Sequence, residues 1–295
     1  MRLGRTGTGT LIVVDGEEAV EVSSLFADVA DDWAGVFAAA ATDRLRTLPD
    51  GLPRSPLAET SLGAPLARPG KIVAAPVNYR SHQDEMSWPT TVEDLGVFLK
   101  APSSLIGPGE EVRLPYSDVR TDQEGELAVV IGRRARNVSP EAAISYVAGY
   151  TCLLDITVRS SEDRSARKSF DTFTPVGPWI ASPDEVGDPD RLELRCWVGD
   201  ELRQAVNTDH LIFSVPLLIA YASSVMTLEP GDLLATGTPD GVGPLADGDV
   251  VAVEIERVGR LEVTVSARKA VPYATRPSLA LVGGDERIDN EGSST

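Results

Sequence analysis

Residues 124–131 read Glu-Gly-Glu-Leu-Ala-Val-Val-Ile, two acids at the mouth of an unbroken apolar run. The run is strand-like and leads into a core. In a strand, Glu124 and Glu126 lie two positions apart and share one face. Gly125 between them carries no side chain, so another backbone can approach closely there. Two like charges at the edge of a core are costly without compensation. Solvent at a strand end is one remedy, and a divalent cation is the other. Asp155 favours the cation. It follows Cys152, Leu153 and Leu154 in a second strand-like run, where an unpaired buried acid is expensive. An ion pair with Arg159, or a capping role, would also account for it. Three carboxylates, with water completing the shell, suit magnesium or manganese. The sequence has no His/Cys cluster that would argue for zinc or copper.

Strand-like segments recur at 71–76, 97–100, 148–157, 192–199, 232–236, 249–256 and 260–268. Within them Leu192, Leu194, Cys196 and Val198 alternate onto one face. Residues 249–268 read as a hairpin around Val258 and Gly259, and 10–22 as another around Asp15 and Gly16. Helices are fewer. Residues 24–40 have helical spacing, one helix starts near Pro140, and one spans 214–226 with Ser214 as cap and Pro216 in its first turn. Strands dominate without a regular βαβα alternation. This predicts a mainly β chain with interspersed helices (α+β) and argues against a doubly wound sheet. The stretch 47–70, rich in Pro, Gly and Ala, predicts a connection between a small N-terminal domain, 1–66, and a main domain, 67–282. The polar, acidic residues 283–295 predict a disordered tail.

Composition removes several classes of partner. The chain has 27 Lys and Arg against 45 Asp and Glu, a net charge of -18, which disfavours nucleic acid and anionic membrane. Its two cysteines, Cys152 and Cys196, are too few for a disulfide framework and read as small core residues. No run approaches the length of a membrane span, and the N-terminal apolar run is too short for a secretory signal. The expected location is the cytoplasm. The glycines at 7–9 and 235–243 lack the strand-to-helix context of a nucleotide loop; the second group reads as a tight, functional turn.

His82 has an acid, Glu85, three residues on, so one helical turn places both on one face. A carboxylate beside an imidazole raises its basicity and fixes its orientation, which suits a general base toward water. A surface ion pair has the same spacing. His210 has no such company and reads as structural. Lys168 lies among Phe170, Phe173, Pro175 and Trp179, where a fixed ammonium near a metal can stabilise an oxyanion or enolate. A lysine that turns outward to solvent is the other reading, and Lys100 in FLKAPSSLIGPG has the same two.

These segments, taken in order, resemble the fumarylacetoacetate hydrolase family. The matching pieces are NYRSH (78–82) with Glu85, FLKAPSSLIGPG (98–109), EGELAVVIG (124–132), Asp155 in its strand, KSFDTFTPVGP (168–178), MTLEPGDLLATGTPDGVG (226–243) and the closing hairpin. They span about residues 71–268. The resemblance implies a mixed β-sandwich roll, magnesium or manganese as cofactor, and a homodimer. It implies Glu124, Glu126 and Asp155 as metal ligands, and His82 and Glu85 as a catalytic dyad on a short lid helix. Lys168 is then the active-site lysine, and Tyr79, Arg159 and Thr238 meet the substrate. One departure stands out. The family often reads Asn-Asp-x-Ser-Ala-Arg-Asp around the third ligand, where this chain has Leu154-Asp155-Ile156-Thr157-Val158-Arg159-Ser160. The ligand and Arg159 survive, the flanking Asn and second Asp do not, and a hydrogen bond supporting the metal carboxylates is absent. The segment 160–167 is also peculiar and is placed to shape the pocket mouth.

The function these residues imply is hydrolysis of a carbon-carbon bond in a 2,4-dioxo acid of the acylpyruvate or fumarylpyruvate type, as in the breakdown of aromatic compounds. The metal chelates the carboxylate and 2-oxo group, His82 activates water, and the leaving pyruvate enolate is held by the metal and Lys168. Decarboxylation of oxaloacetate passes through the same enolate without a hydrolytic water. Isomerase or hydratase action on a ring-cleavage product is a third possibility, and a binding protein with a structural metal a fourth.

Overall fold

Strand Gly125–Ile131 is buried along its whole length, and both of its faces are covered. The computed structural model describes residues 1–26, 33–37, 45 and 47–277. Leu127, Val129 and Ile131 pack with Cys196, Val253 and Leu261, and with Leu218 and Ile219 of the helix Val215–Val225. Ala128 and Val130, on the opposite face, pack with Ile72, Leu153 and Val176, and with Leu3, Leu11, Val13 and Phe26 from the N-terminal segment. Period-two alternation thus splits one apolar run between two cores.

The sheet that contains it runs Arg54–Pro56, Glu18–Glu21, Leu11–Asp15, Arg2–Thr6, Thr174–Ala181, Val147–Leu154, Gly125–Ile131, Leu233–Ala235, Ile72–Ala74, Phe98–Lys100. Most neighbours are antiparallel, but Leu233–Ala235 runs parallel to Ile72–Ala74. A second, five-stranded sheet runs Glu201–Asn207, Glu193–Val198, Val250–Ile255, Gly259–Ser266, Glu111–Arg113, the last pair parallel. It faces the first across the core that holds Leu127 and Cys196. The fold is therefore the expected mainly β, mixed-sheet sandwich with few helices.

Most of the elements read from the sequence are present. The hairpin Val250–Ile255 with Gly259–Ser266 and the alternation of Glu193–Val198 follow their patterns. The helix Val215–Val225 starts after Ser214. Three differences have physical causes. Gly125 does admit a close neighbour, but side chains fill the space rather than backbone: a Cβ there would meet Cys196 Cβ at 3.0 Å and Val253 at 3.3 Å. Residues 47–70, expected as a connection of little periodicity, contain two short strands. Arg54–Pro56 pairs with Glu18–Glu21, and Leu62–Gly63 pairs with Arg2–Thr6, through partners too distant in sequence to leave a periodic trace. The helix expected over 24–40 lies partly outside the described residues; within them Ser23–Phe26 is a 3-10 turn and Trp33–Phe37 a short helix. The tail at 283–295 lies wholly outside them.

Residues of the N-terminal segment and the main sheet are joined by register Arg2↔Ala181 and Leu3↔Ile180, with the Met1 ammonium 3.0 Å from Glu185. Phe26 is fully buried in the shared core. Truncating it to alanine should cost about 3–5 kcal/mol, read from urea unfolding. Its loss should move one cooperative transition. A separate early transition that leaves the rest of the protein folded would contradict this coupling.

Candidate metal centre and active site

The paired strands set the carboxylates. Register Gly125↔Leu154 brings the start of Gly125–Ile131 to the end of Val147–Leu154, and the Asp155 N–H donates to the Glu124 carbonyl at 2.8 Å. Glu124, Glu126 and Asp155, each at most 4% exposed, thereby bring ligand oxygens within 4.8 Å of one another.

Cationic side chains answer two of the three. Lys168 Nζ donates to Glu124 Oε2 and Asp155 Oδ2, both at 2.6 Å, and to Thr157 Oγ1 at 2.7 Å. Lys100 Nζ donates to Asp155 Oδ1, and to the Phe173 carbonyl at 2.8 Å. Arg159 spans Glu124 Oε1 at 2.8 Å and Asp122 Oδ2 at 2.7 Å. Burial opposes the charge on Glu124, but Lys168 and Arg159 outweigh it and hold its carboxyl well below the usual range. Lys168 is likewise held above its ordinary value, because Asp155 and Glu124 overcome the cost of its burial. Lys100 goes the other way: burial dominates over Asp155 and lowers it.

Glu126 is the exception. Its hydrogen-bond partner is the Gly237 N–H at 2.7 Å. Burial, and then the charges of Asp155 and Glu124, push its carboxyl well above the usual range. A buried acid with one N–H, facing two other carboxylates, fits a divalent cation shared by all three. The donor set is all carboxylate oxygen, the chemistry of magnesium and manganese rather than of zinc or copper.

The His82–Glu85 pair lies across a glycine turn. Helix Arg80–Met86 carries His82, 5% exposed, whose Nδ1 lies 3.0 Å from Glu85 Oε2. That contact selects the tautomer with its proton on Nδ1 and leaves the Nε2 lone pair available. The other oxygen of Glu85 accepts the Gly241 N–H at 2.9 Å. The turn that carries Gly241 also carries Gly237, so residues 236–241 connect the dyad to Glu126. Gly237 has φ +97°, and a Cβ there would lie 2.8 Å from Asn78 Cβ, so only glycine fits. The tight turn expected at 235–243 is present, with Gly237 and Gly241 both at positive φ.

The expected substrate residues sit nearby. Tyr79 precedes the helix Arg80–Met86, is fully buried, and has a hydroxyl with no hydrogen-bond partner among the described residues. Burial, seconded by Glu126, raises its pKa. The Thr238 hydroxyl donates to the Gly125 carbonyl at 3.0 Å and accepts from Gln204 Nε2 at 2.8 Å. Arg159 does not pair with Asp155; it reaches Glu124 and Asp122, while Asp155 takes both lysines. His210 is 71% exposed beside Asp209.

Several site residues escaped the sequence reading. Lys100 was ambiguous there and is in fact fully buried on Asp155. Asp122, fully buried, accepts from Arg159 Nε at 2.7 Å and holds that side chain against the cluster. Asn78 donates to the Thr236 carbonyl at 2.8 Å and accepts the Phe213 N–H at 2.7 Å, pinning the glycine turn. Only the family pattern around residues 78 and 100 offered a signal for two of them.

A model of the fumarylacetoacetate (FAA) hydrolase C-terminal domain matches residues 71–266. The maleylpyruvate hydrolase of Aquipseudomonas alcaligenes is 41% identical over 284 residues, which cover 90% of this chain and 99% of that protein. A crystal structure of maleylpyruvate hydrolase from Sphingobium sp. SYK-6, in complex with manganese(II) ion and pyruvate, superposes with TM-score 0.79 at 41% identity, covering 90% of this chain and 99% of that one. The crystal structure of 2-hydroxyhepta-2,4-diene-1,7-dioate isomerase from Mycobacterium marinum gives TM-score 0.75 at 35% identity, covering 91% and 99%. This chain belongs to the fumarylacetoacetate hydrolase family.

Proposed function

We propose that this chain hydrolyses the C3–C4 bond of a 2,4-dioxo acid of the acylpyruvate type, releasing pyruvate and a carboxylic acid. The observation that carries this reading is the bridge from Glu126 through Gly237 and Gly241 to Glu85 and His82. It links the carboxylate cluster to the His82–Glu85 pair through one glycine turn. The likeness to two maleylpyruvate hydrolases supports the same chemistry.

His82 Nε2 takes a proton from water, whose oxygen attacks the C4 carbonyl. The C3–C4 bond then breaks, its electron pair passes to C3, and the resulting pyruvate enolate is protonated there. Lys168, itself buried, offers the developing enolate oxygen a fixed positive charge. A divalent cation, magnesium or manganese, held by Glu124, Glu126 and Asp155 supplies Lewis-acid charge beside the oxo-acid end of the substrate. Tyr79, Arg159 and Thr238 shape and orient the pocket around that end. Decarboxylation of oxaloacetate would leave the His82 base without a water to activate. A second carboxylic acid among the products separates hydrolysis from CO2 release and from isomerisation. A homodimer acting in the cytoplasm completes the proposal; among the described residues no helix is long and apolar enough to cross a membrane.

Turnover of a panel of acylpyruvates should require added Mg2+ or Mn2+ and stop in chelator. Glu126→Gln should lose at least about 10²-fold in turnover while its thermal midpoint holds or rises, because one buried like charge is gone. Full activity in excess chelator would count against the metal. His82→Ala should lose about 10²–10⁴-fold in kcat, and Glu85→Gln somewhat less; wild-type turnover in His82→Ala removes it as the base. Lys168→Met should lower kcat about 10²–10³-fold by analogy with an oxyanion donor, with KM nearly unchanged. A pure KM effect would instead make Lys168 a ground-state binding residue.

A further inference from the structure

Gln204 is 1% exposed, and the proposed chemistry does not use it. It lies on the strand Glu201–Asn207 of the second sheet, yet its side chain reaches Gly125 of the main sheet. A bulge adjoins it. Cys196 pairs with Gln204 and Trp197 with Leu202, so Arg203 is an extra residue with no partner on the neighbouring strand. The Arg203 carbonyl packs so closely on the glycine turn that a Cβ at Gly241 would lie 1.9 Å from it. The bulge therefore sits directly against the turn whose N–H groups hold Glu126 and Glu85.

The Gln204 amide completes a ladder that the main sheet leaves unfinished. Leu233–Ala235 pairs with Gly125–Ile131 at Ala128, Val129 and Val130. The Thr236 N–H still reaches the Leu127 carbonyl, at 3.0 Å, and the chain then turns away. Gly125 is left without a strand neighbour on that edge, and Gly125 is the residue between Glu124 and Glu126. Two side chains take the missing place. Gln204 Oε1 accepts the Gly125 N–H at 2.9 Å, and the Thr238 hydroxyl donates to the Gly125 carbonyl at 3.0 Å. Gln204 Nε2 closes the ring by donating to that hydroxyl at 2.8 Å, and it reaches the Pro239 carbonyl at 3.1 Å. The single hydroxyl proton of Thr238 is thereby committed to the backbone between the two glutamates.

We infer that Gln204 is a positioning residue for the metal centre: it fixes the peptide between Glu124 and Glu126 against the glycine turn, and so sets the spread of the carboxylate oxygens that hold the cation. The inference rests on the reading of the three carboxylates as metal ligands, and not on the reaction they serve. Magnesium tolerates little departure from octahedral geometry, so its ligand oxygens must keep their separations. Without the amide, the Gly125 N–H is buried and unpaired, and the end of the strand shifts to find another acceptor. Glu124 and Glu126 move with it.

The test is calorimetric titration of the full chain, freed of metal by chelator, with Mn2+. Gln204→Met keeps the length of the side chain and removes its polar atoms. It should weaken Mn2+ binding at least about tenfold, the effect of losing a group that orients metal ligands from behind. Thr238→Val breaks the same ring and should also weaken binding, while Thr238→Ser keeps the hydroxyl and should bind as the wild type does. Because both losses act through Gly125, the double variant of Gln204→Met with Thr238→Val should lose less than the product of the single losses. Leu194→Ala, at a fully buried position of the same sheet, should lower the thermal midpoint and leave Mn2+ affinity unchanged. Equal affinity in the wild type and Gln204→Met overturns the inference. So do single losses that multiply in full, or a loss that Leu194→Ala reproduces at a comparable thermal midpoint. If Gln204→Met does not fold, equal binding by Thr238→Val and Thr238→Ser overturns it. If the wild type binds no Mn2+, the metal reading itself fails, and the role given to Gln204 falls with it.

Discussion

Glu124, Glu126 and Asp155 hold three ligand oxygens within 4.8 Å of one another in a region that water barely reaches. At an effective dielectric constant of about 20, two unit charges about 4 Å apart repel by about 4 kcal/mol. The surroundings are arranged around that repulsion. Lys168 straddles Glu124 and Asp155, Lys100 lies under Asp155, and Arg159 ties Glu124 to Asp122. The compensation is asymmetric, because Glu126 receives a backbone N–H rather than a cation. The asymmetry leaves the unmet charge on the side of the cluster next to the glycine turn.

Glu85 works in two directions. One oxygen orients His82 and the other holds the Gly241 N–H, so the helix Arg80–Met86 seats correctly only when both contacts close. Asn78 fastens the same turn from the opposite side. A helix fixed this way ties the orientation of the His82 ring to the position of the glycine turn.

The carboxylates and the dyad were legible because their signals are local. An acid two residues from another, at the mouth of 127–131, and an acid three residues after a histidine state their geometry within one element. The alternation from Leu192 to Val198 was legible for the same reason. What escaped depends on partners far along the chain. Lys100 meets Asp155 across 55 residues, and whether a lysine turns inward is decided by that partner rather than by its neighbours. Arg159 had Asp155 close in sequence but took Asp122 and Glu124, because strand pairing brings Thr157–Val158 beside Thr121–Gln123. The short strands within 47–70 are ordered by pairing with 2–6 and 18–21, and no pattern inside the stretch records it.

The pairing of Arg2–Thr6 with Thr174–Ala181 has a consequence for synthesis on the ribosome. Arg2–Thr6 meets this neighbour only after the chain has grown past Ala181. Until then that edge is covered only at Arg5 and Thr6, by Leu62–Gly63, and the core around Leu3, Leu11 and Val13 lacks Val176 and Ile180. The antiparallel neighbour Leu11–Asp15 closes the other edge early, through a connection of only a few residues. Early hairpin closure therefore shields this segment during the wait, and the contact that completes the sheet belongs to the slow, non-local part of folding.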